Sequence, residues 1–128
     1  MIPLRESFPD EQLWVIQDKH PWFADIVNFL ASKVIPSELN PQARKRFIAS
    51  TRFYFWDEPY LFKRGPDQVI RRCIPENEQG EILKFCHECE CGGHYSGMTT
   101  MMKILQCGFF WITLAKDAYE FCLKCDRC

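Results

Sequence analysis

The sequence predicts an α+β fold in which a small helix and β-hairpin extension precedes a three-helix domain. Three observations carry this. Apolar residues recur at a 3.6-residue period from Trp22 to Leu30, as on one face of a helix. Two aromatic, β-forming runs then flank the turn-like Asp57-Glu58-Pro59. Beyond Pro75 the helical pattern returns, and with it a dense Cys/His cluster at residues 86–94 and three more cysteines at the C-terminus.

Residues 1–20 are mostly polar, show no sustained period and read as a linker or tether. The extension, residues 21–75, opens with Pro21, tolerated in a first helical turn because its missing N–H has no partner to lose there. Trp22, Ile26, Phe29 and Leu30 make the apolar stripe, widened by Phe23 and Val27, and Pro36 ends the helix. A second helix starts with Asn40 as cap and Pro41 at the first position. It is expected to turn Ala43, Phe47 and Ile48 inward and to leave Arg44, Lys45 and Arg46 in solvent. Strands follow at Arg52–Trp56, Tyr60–Phe62 and Gln68–Ile74, with a turn at Gly65-Pro66-Asp67. Phe53 to Trp56 are expected to be core with one ring to solvent, although such a run also suits base stacking.

The last unit, residues 76–128, begins with a helix bearing Glu76 and Glu78 in its first turn, where the dipole favours anions. Its apolar face is expected to be Ile82, Leu83, Phe85 and Cys86, which delivers His87 at the helix end. Gly92-Gly93 interrupts, and a short helix runs from about Thr100 to Cys107, stopped by Gly108. Phe109, Phe110 and Trp111 read as core, and Thr113 is placed to cap a last helix reaching Leu123. Cys73, Cys86 and Cys107 fall on apolar faces and are expected in the core, whereas His20 is expected in solvent.

No apolar run approaches the ~20 residues that span a bilayer, and the N-terminus has neither a basic nor an apolar leader segment. The expected setting is therefore intracellular and reducing, where clustered Cys and His point to metal rather than disulfides. His87 and His94 have six residues between them, and Gly92-Gly93 permits the bend that returns one beside the other. Cys122, Cys125 and Cys128 give two overlapping Cys-x-x-Cys pairs. Two histidines with two of these cysteines would complete a tetrahedral zinc site. Spacing also admits a four-cysteine set, Cys86-x-x-Cys89 with a C-terminal pair, or Cys89 and Cys91 as alternates. Four protein ligands leave no open position, so such a site is structural. So small a unit would depend on the ion for folding energy.

Net charge is −1 but unevenly spread. Residues 44–72 carry eight basic and three acidic side chains, net +5, while the segments on either side are each −3. The basic group is Arg44, Lys45, Arg46, Arg52, Lys63, Arg64, Arg71 and Arg72, a candidate for phosphate contact against the plainer reading of a solvated face. Arg71 and Arg72 alternate along a strand, so one face can present only one of them.

The pieces FPDEQL, PWFADIVNFLA, FYFWDEPYLFK, DQVIRRCIP, CGGHYS, KILQCGFFW, KDAYEF and CDRC run in unbroken order over residues 8–128. Together they resemble the part of a gypsy-type LTR retrotransposon polyprotein, plant elements especially, that leads into integrase. The resemblance implies a His-His-Cys-Cys zinc domain with one structural Zn2+ on His87, His94, Cys125 and Cys128, with Cys122 outside the motif. It aligns Thr100 and Trp111 with that family's threonine and tryptophan. Ile112 stands where the family usually has proline, Met101 and Met102 replace small residues, and Cys122 replaces an apolar one.

The implied function is a non-catalytic module aiding integrase multimerisation and DNA binding during DNA integration. Its partners would be element DNA ends and integrase subunits or the rest of the polyprotein, with no membrane and no small-molecule substrate. The family's three-carboxylate catalytic core falls outside the matched stretch, so no enzyme activity is expected. An active element would place the module in the nucleus or a cytoplasmic particle. The alternative is a truncated or recruited zinc module serving protein–protein interaction without DNA.

Overall fold

A computed structural model describes residues 20–88 and 96–125. They form α1 (Ala24–Ser32), α2 (Pro41–Thr51), β1 (Tyr54–Asp57), β2 (Tyr60–Arg64), β3 (Ile70–Cys73), α3 (Glu76–His87), α4 (Gly97–Gln106), β4 (Phe109–Phe110) and α5 (Leu114–Leu123). The fold is α+β. The strands make one sheet in the order β1-β2-β3-β4, antiparallel except for the parallel β3–β4 pair. No described helix is long and apolar enough to cross a membrane.

The local signals work as their chemistry requires. Asn40 accepts a hydrogen bond from the Ala43 amide at 2.7 Å and caps α2, with Pro41 at its first position. Gly108 ends α4 with φ +93°, a left-handed conformation open to glycine. Asp57 to Pro59 turns β1 into β2 through a cis Glu58–Pro59 bond.

Two clusters make the core. Phe23, the N-cap residue of α1, and Val27 within it pack on Tyr54, Leu61 and Cys73 from the sheet. Ile74, Leu83, Cys86, Ile104, Trp111, Leu114 and Ala118 form the second, beneath α3, α4 and α5. Trp22 touches both, and its indole N–H donates to the Ile74 carbonyl at 2.8 Å. Burial pushes the Tyr54 hydroxyl and the Cys73 thiol each up to about 12, so both stay protonated in the upstream cluster.

Several expectations are corrected. Ile48 is exposed, because α2 meets α1 through Phe47, whose ring stands edge-on to Phe29. Phe85 is 72% exposed. Leu83, Cys86 and His87 define the buried stripe of α3, and Phe85 lies about 200° from Leu83 around the helix. Cys107 is exposed, as the C-cap residue just past the regular turns of α4. That helix also starts earlier than expected, because Ser96 caps it by accepting from the Thr99 amide. Thr113 does precede α5, but its hydroxyl donates to the Asp117 carboxylate instead of capping the backbone. Both Phe53 and Phe55 face solvent, one ring more than expected.

Candidate metal centre

The buried stripe of α3 ends on His87, which is fully buried at the helix C-terminus. Its Nδ1 lies 3.2 Å from Thr100 Oγ1 and 3.3 Å from Cys122 Sγ. Thr100 and Cys122 are themselves 3.7 Å apart, so three side chains from α3, α4 and α5 close a small triangle. The Phe121 ring stands edge-on to the imidazole, 5.5 Å between centroids.

Each helix reaches this point for a local reason. Ser96 fixes the start of α4, and Thr100 and Ile104, four residues apart, share its inward face. Gly97 lets the start of α4 approach α5, since a β-carbon there would lie 2.9 Å from Tyr119 Cα. Trp111 and Thr113 both donate to Asp117 Oδ2, at 2.8 and 2.7 Å, which ties the first turn of α5 to the core. After α5 the Cys125 amide bonds the Cys122 carbonyl at 3.2 Å, so the chain makes one further turn and leaves Cys125 half-buried.

Of the four expected ligands, His87 and Cys125 are thus placed near the convergent ends of α3 and α5. His94 and Cys128 lie outside the described residues, as do Cys89, Cys91 and the Gly92-Gly93 bend. Among the described residues no three His, Cys, Asp or Glu side chains are gathered as a metal-holding group. The donors present still suit Zn2+, which takes imidazole nitrogen and thiolate sulfur together. A buried imidazole with a hydroxyl and a thiol on one ring nitrogen also has the outer partners that orient a metal-binding histidine. On the family resemblance, sequence reasoning set Cys122 outside the ligand motif, and it missed both contacts of His87; the available signal was the i, i+3 spacing of Cys122 and Cys125.

The basic candidates separate into two kinds. Arg71 is committed inward, bidentate to Asp67 and donating from Nε to the Leu105 carbonyl at 2.8 Å. The Arg71 hydrogen bond is also the main reason the Asp67 carboxyl drops to about 2. Arg72 pairs with Glu78 at 3.3 Å and lies over Tyr60. Lys63 sits on the helix-covered side with its ammonium over Phe110. Arg44, Lys45, Arg46, Arg52 and Arg64 are exposed.

Residues 74–128 match the family model of the integrase zinc binding domain. This region of the chain is an integrase zinc-binding region. Such a region is an accessory N-terminal domain of integrases, distinct from the catalytic core. Its span takes in α3, α4, β4 and α5, so the His87 triangle lies wholly inside it. The chain is also similar to Gypsy retrotransposon integrase-like protein 1 of Homo sapiens, 27% identical over 99 residues, covering 76% of this chain and 18% of that protein. The Macaca fascicularis protein of the same name is 27% identical over 96 residues (73% and 17%), and that of Pongo abelii 23% over 90 residues (69% and 17%). The chain therefore spans under a fifth of the length of these curated relatives. No solved structure matches it significantly.

Proposed function

We propose that the chain is the non-catalytic zinc-binding module of a retrotransposon integrase, contributing to multimerisation and DNA binding during integration. One structural Zn2+ would be held by His87, His94, Cys125 and Cys128. The observation that carries this is the buried His87 ring, fixed by Thr100 and Cys122 where α3 and α5 converge, one turn ahead of Cys125. When bound, the ion supplies a crosslink and no reaction, since four protein ligands leave no coordination position for substrate.

The rest of the work falls to the chain's own side chains. Thr100 and Cys122 orient the imidazole. Trp111 and Asp117 hold α5 in place behind it. Arg44, Lys45, Arg46, Arg52 and Arg64 supply positive charge for phosphate, while Arg71 and Arg72 serve chiefly the fold. Element DNA ends and other integrase subunits are the proposed partners, met in the nucleus or a cytoplasmic particle.

The test is metal content joined to DNA affinity. Purified chain is expected to carry one zinc and to lose helix signal on chelation. His94→Ala and Cys128→Ser should each lose the ion. A duplex shift that weakens with salt, and weakens further in Arg44→Gln/Arg46→Gln, supports the DNA role. Zinc-dependent folding with no DNA affinity at low salt would instead assign the module to protein–protein interaction.

A further inference from the structure

Tyr54, Leu61 and Cys73 turn into the upstream core beneath α1, so the alternate residues of the same strands form the sheet's other face. The register sets Phe55, Phe62, Arg72 and Phe109 in one row across four strands. Tyr60 and Arg64 lie on the same face, two residues either side of Phe62. Phe53 immediately precedes β1, its carbonyl accepting from the Arg64 amide at 2.9 Å, so continuing the alternation of Tyr54 and Phe55 assigns it to the same face as Phe55. Phe53 and Phe55 are 38% and 40% exposed, a large fraction for rings in a sheet with a formed core.

Charge accompanies each ring. The Arg52 guanidinium lies 5.1 Å from the Phe53 centroid, Arg64 5.8 Å from Phe55, and Arg72 4.4 Å from Tyr60. Planar cations over open aromatic faces, within a segment of net +5, are complementary to bases and phosphates rather than to an apolar peptide. Spacing selects the form of the polymer. Residues two apart on a strand are separated by roughly 7 Å, about twice the ~3.4 Å rise per nucleotide of a duplex strand. Neighbouring rings can therefore each take one base only when the bases are unstacked.

We propose that the open face of β1 and β2 binds single-stranded DNA, with bases stacked on Phe53 and Phe55 and phosphates met by Arg52 and Arg64. The choice of DNA over RNA rests on the integrase reading; the stacking surface stands without it. Tyr60 carries the one hydroxyl among the residues named on this face, so little there rewards a ribose 2′-OH.

Fluorescence anisotropy on the zinc-loaded full chain tests this with labelled 12-nucleotide oligo(dT), oligo(U) and a duplex of equal length. Oligo(dT) is expected to bind most tightly. Phe55→Leu should weaken it about tenfold with duplex affinity and thermal midpoint unchanged, and Phe55→Trp should restore it. Equal or tighter duplex binding, or oligo(dT) affinity indifferent to Phe55→Leu, overturns the proposal. Tighter oligo(U) binding overturns the commitment to DNA. A dimer that Phe55→Leu dissolves, with oligonucleotide affinity unchanged, overturns it in favour of a second copy on this face. The integrase reading fails separately, if duplex is not bound while Phe55-dependent oligo(dT) binding persists.

Discussion

His87 Nδ1 and Cys122 Sγ lie 3.3 Å apart across 35 residues of sequence, joining the ends of α3 and α5. In our assignment Cys122 orients the ring and Cys125 with Cys128 binds the ion. Cys122→Val should therefore keep one zinc per chain but weaken its affinity about 10–100-fold, the usual effect of losing an orienting partner. His87→Ala and Cys125→Ser should abolish binding. Competition against a chromophoric chelator reads all three. Full zinc in Cys128→Ser with none in Cys122→Val would transfer the ligand role to Cys122.

The two glycines flanking the metal region predict opposite signs. Gly80→Ala meets nothing within 4 Å in the exposed middle of α3 and should stabilise by about 0.5–1 kcal/mol. Gly97→Ala drives a β-carbon to 2.9 Å from Tyr119 Cα, where backbone must yield, and should destabilise by about 1–3 kcal/mol. Denaturant titration of zinc-loaded protein measures both. A stabilised Gly97→Ala would show that the α4–α5 crossing has slack.

Trp111 is fully buried, and its indole N–H depends on Asp117. Asp117→Ala leaves that donor without its carboxylate and should cost about 1–3 kcal/mol. Asp117→Asn, which retains an accepting oxygen, should cost less. Trp111→Ala removes the largest side chain of the downstream cluster and should cost about 3–5 kcal/mol. Equal losses for Asp117→Ala and Asp117→Asn would mean that charge rather than the hydrogen bond matters.

Acid should reveal the Asp67–Arg71 pair. The folded carboxyl titrates near 2, below its ordinary value of 3.8. The sign follows: the contribution is complete above about pH 4 and disappears as pH falls toward 2. Wild type should exceed Asp67→Asn in thermal midpoint at pH 6, and the two should converge over that window. Constant separation down to pH 2 would refute the assignment to Asp67.

Much of this was legible in the residues. Asn40-Pro41, Gly108 and the Trp22–Leu30 stripe are local signals whose physics acts within a few positions, and each sits where it was expected. His87 at a helix end followed from periodicity alone. The failures share a cause, because they depend on which neighbour lies over a given face. Ile48 and Phe85 are apolar residues that their helices leave exposed, and Phe53 looks like core but lies exposed just ahead of β1, its carbonyl accepting from the Arg64 amide. Arg71 reads as available charge, yet the Leu105 carbonyl, 34 residues away, claims it.

β4 comes from the zinc-binding region but completes a sheet begun upstream, with the Arg72 and Ile74 amides bonded to the Gly108 and Phe110 carbonyls. That pairing lets metal loss propagate beyond the helices. If chelation loosens α4 and α5, β4 leaves with them, and β3 is left with a bare row of amides and carbonyls beside exposed Ile70. Such an edge recruits the same edge of another molecule. The apo protein is thus expected to accumulate as sheet-paired aggregates that grow with concentration.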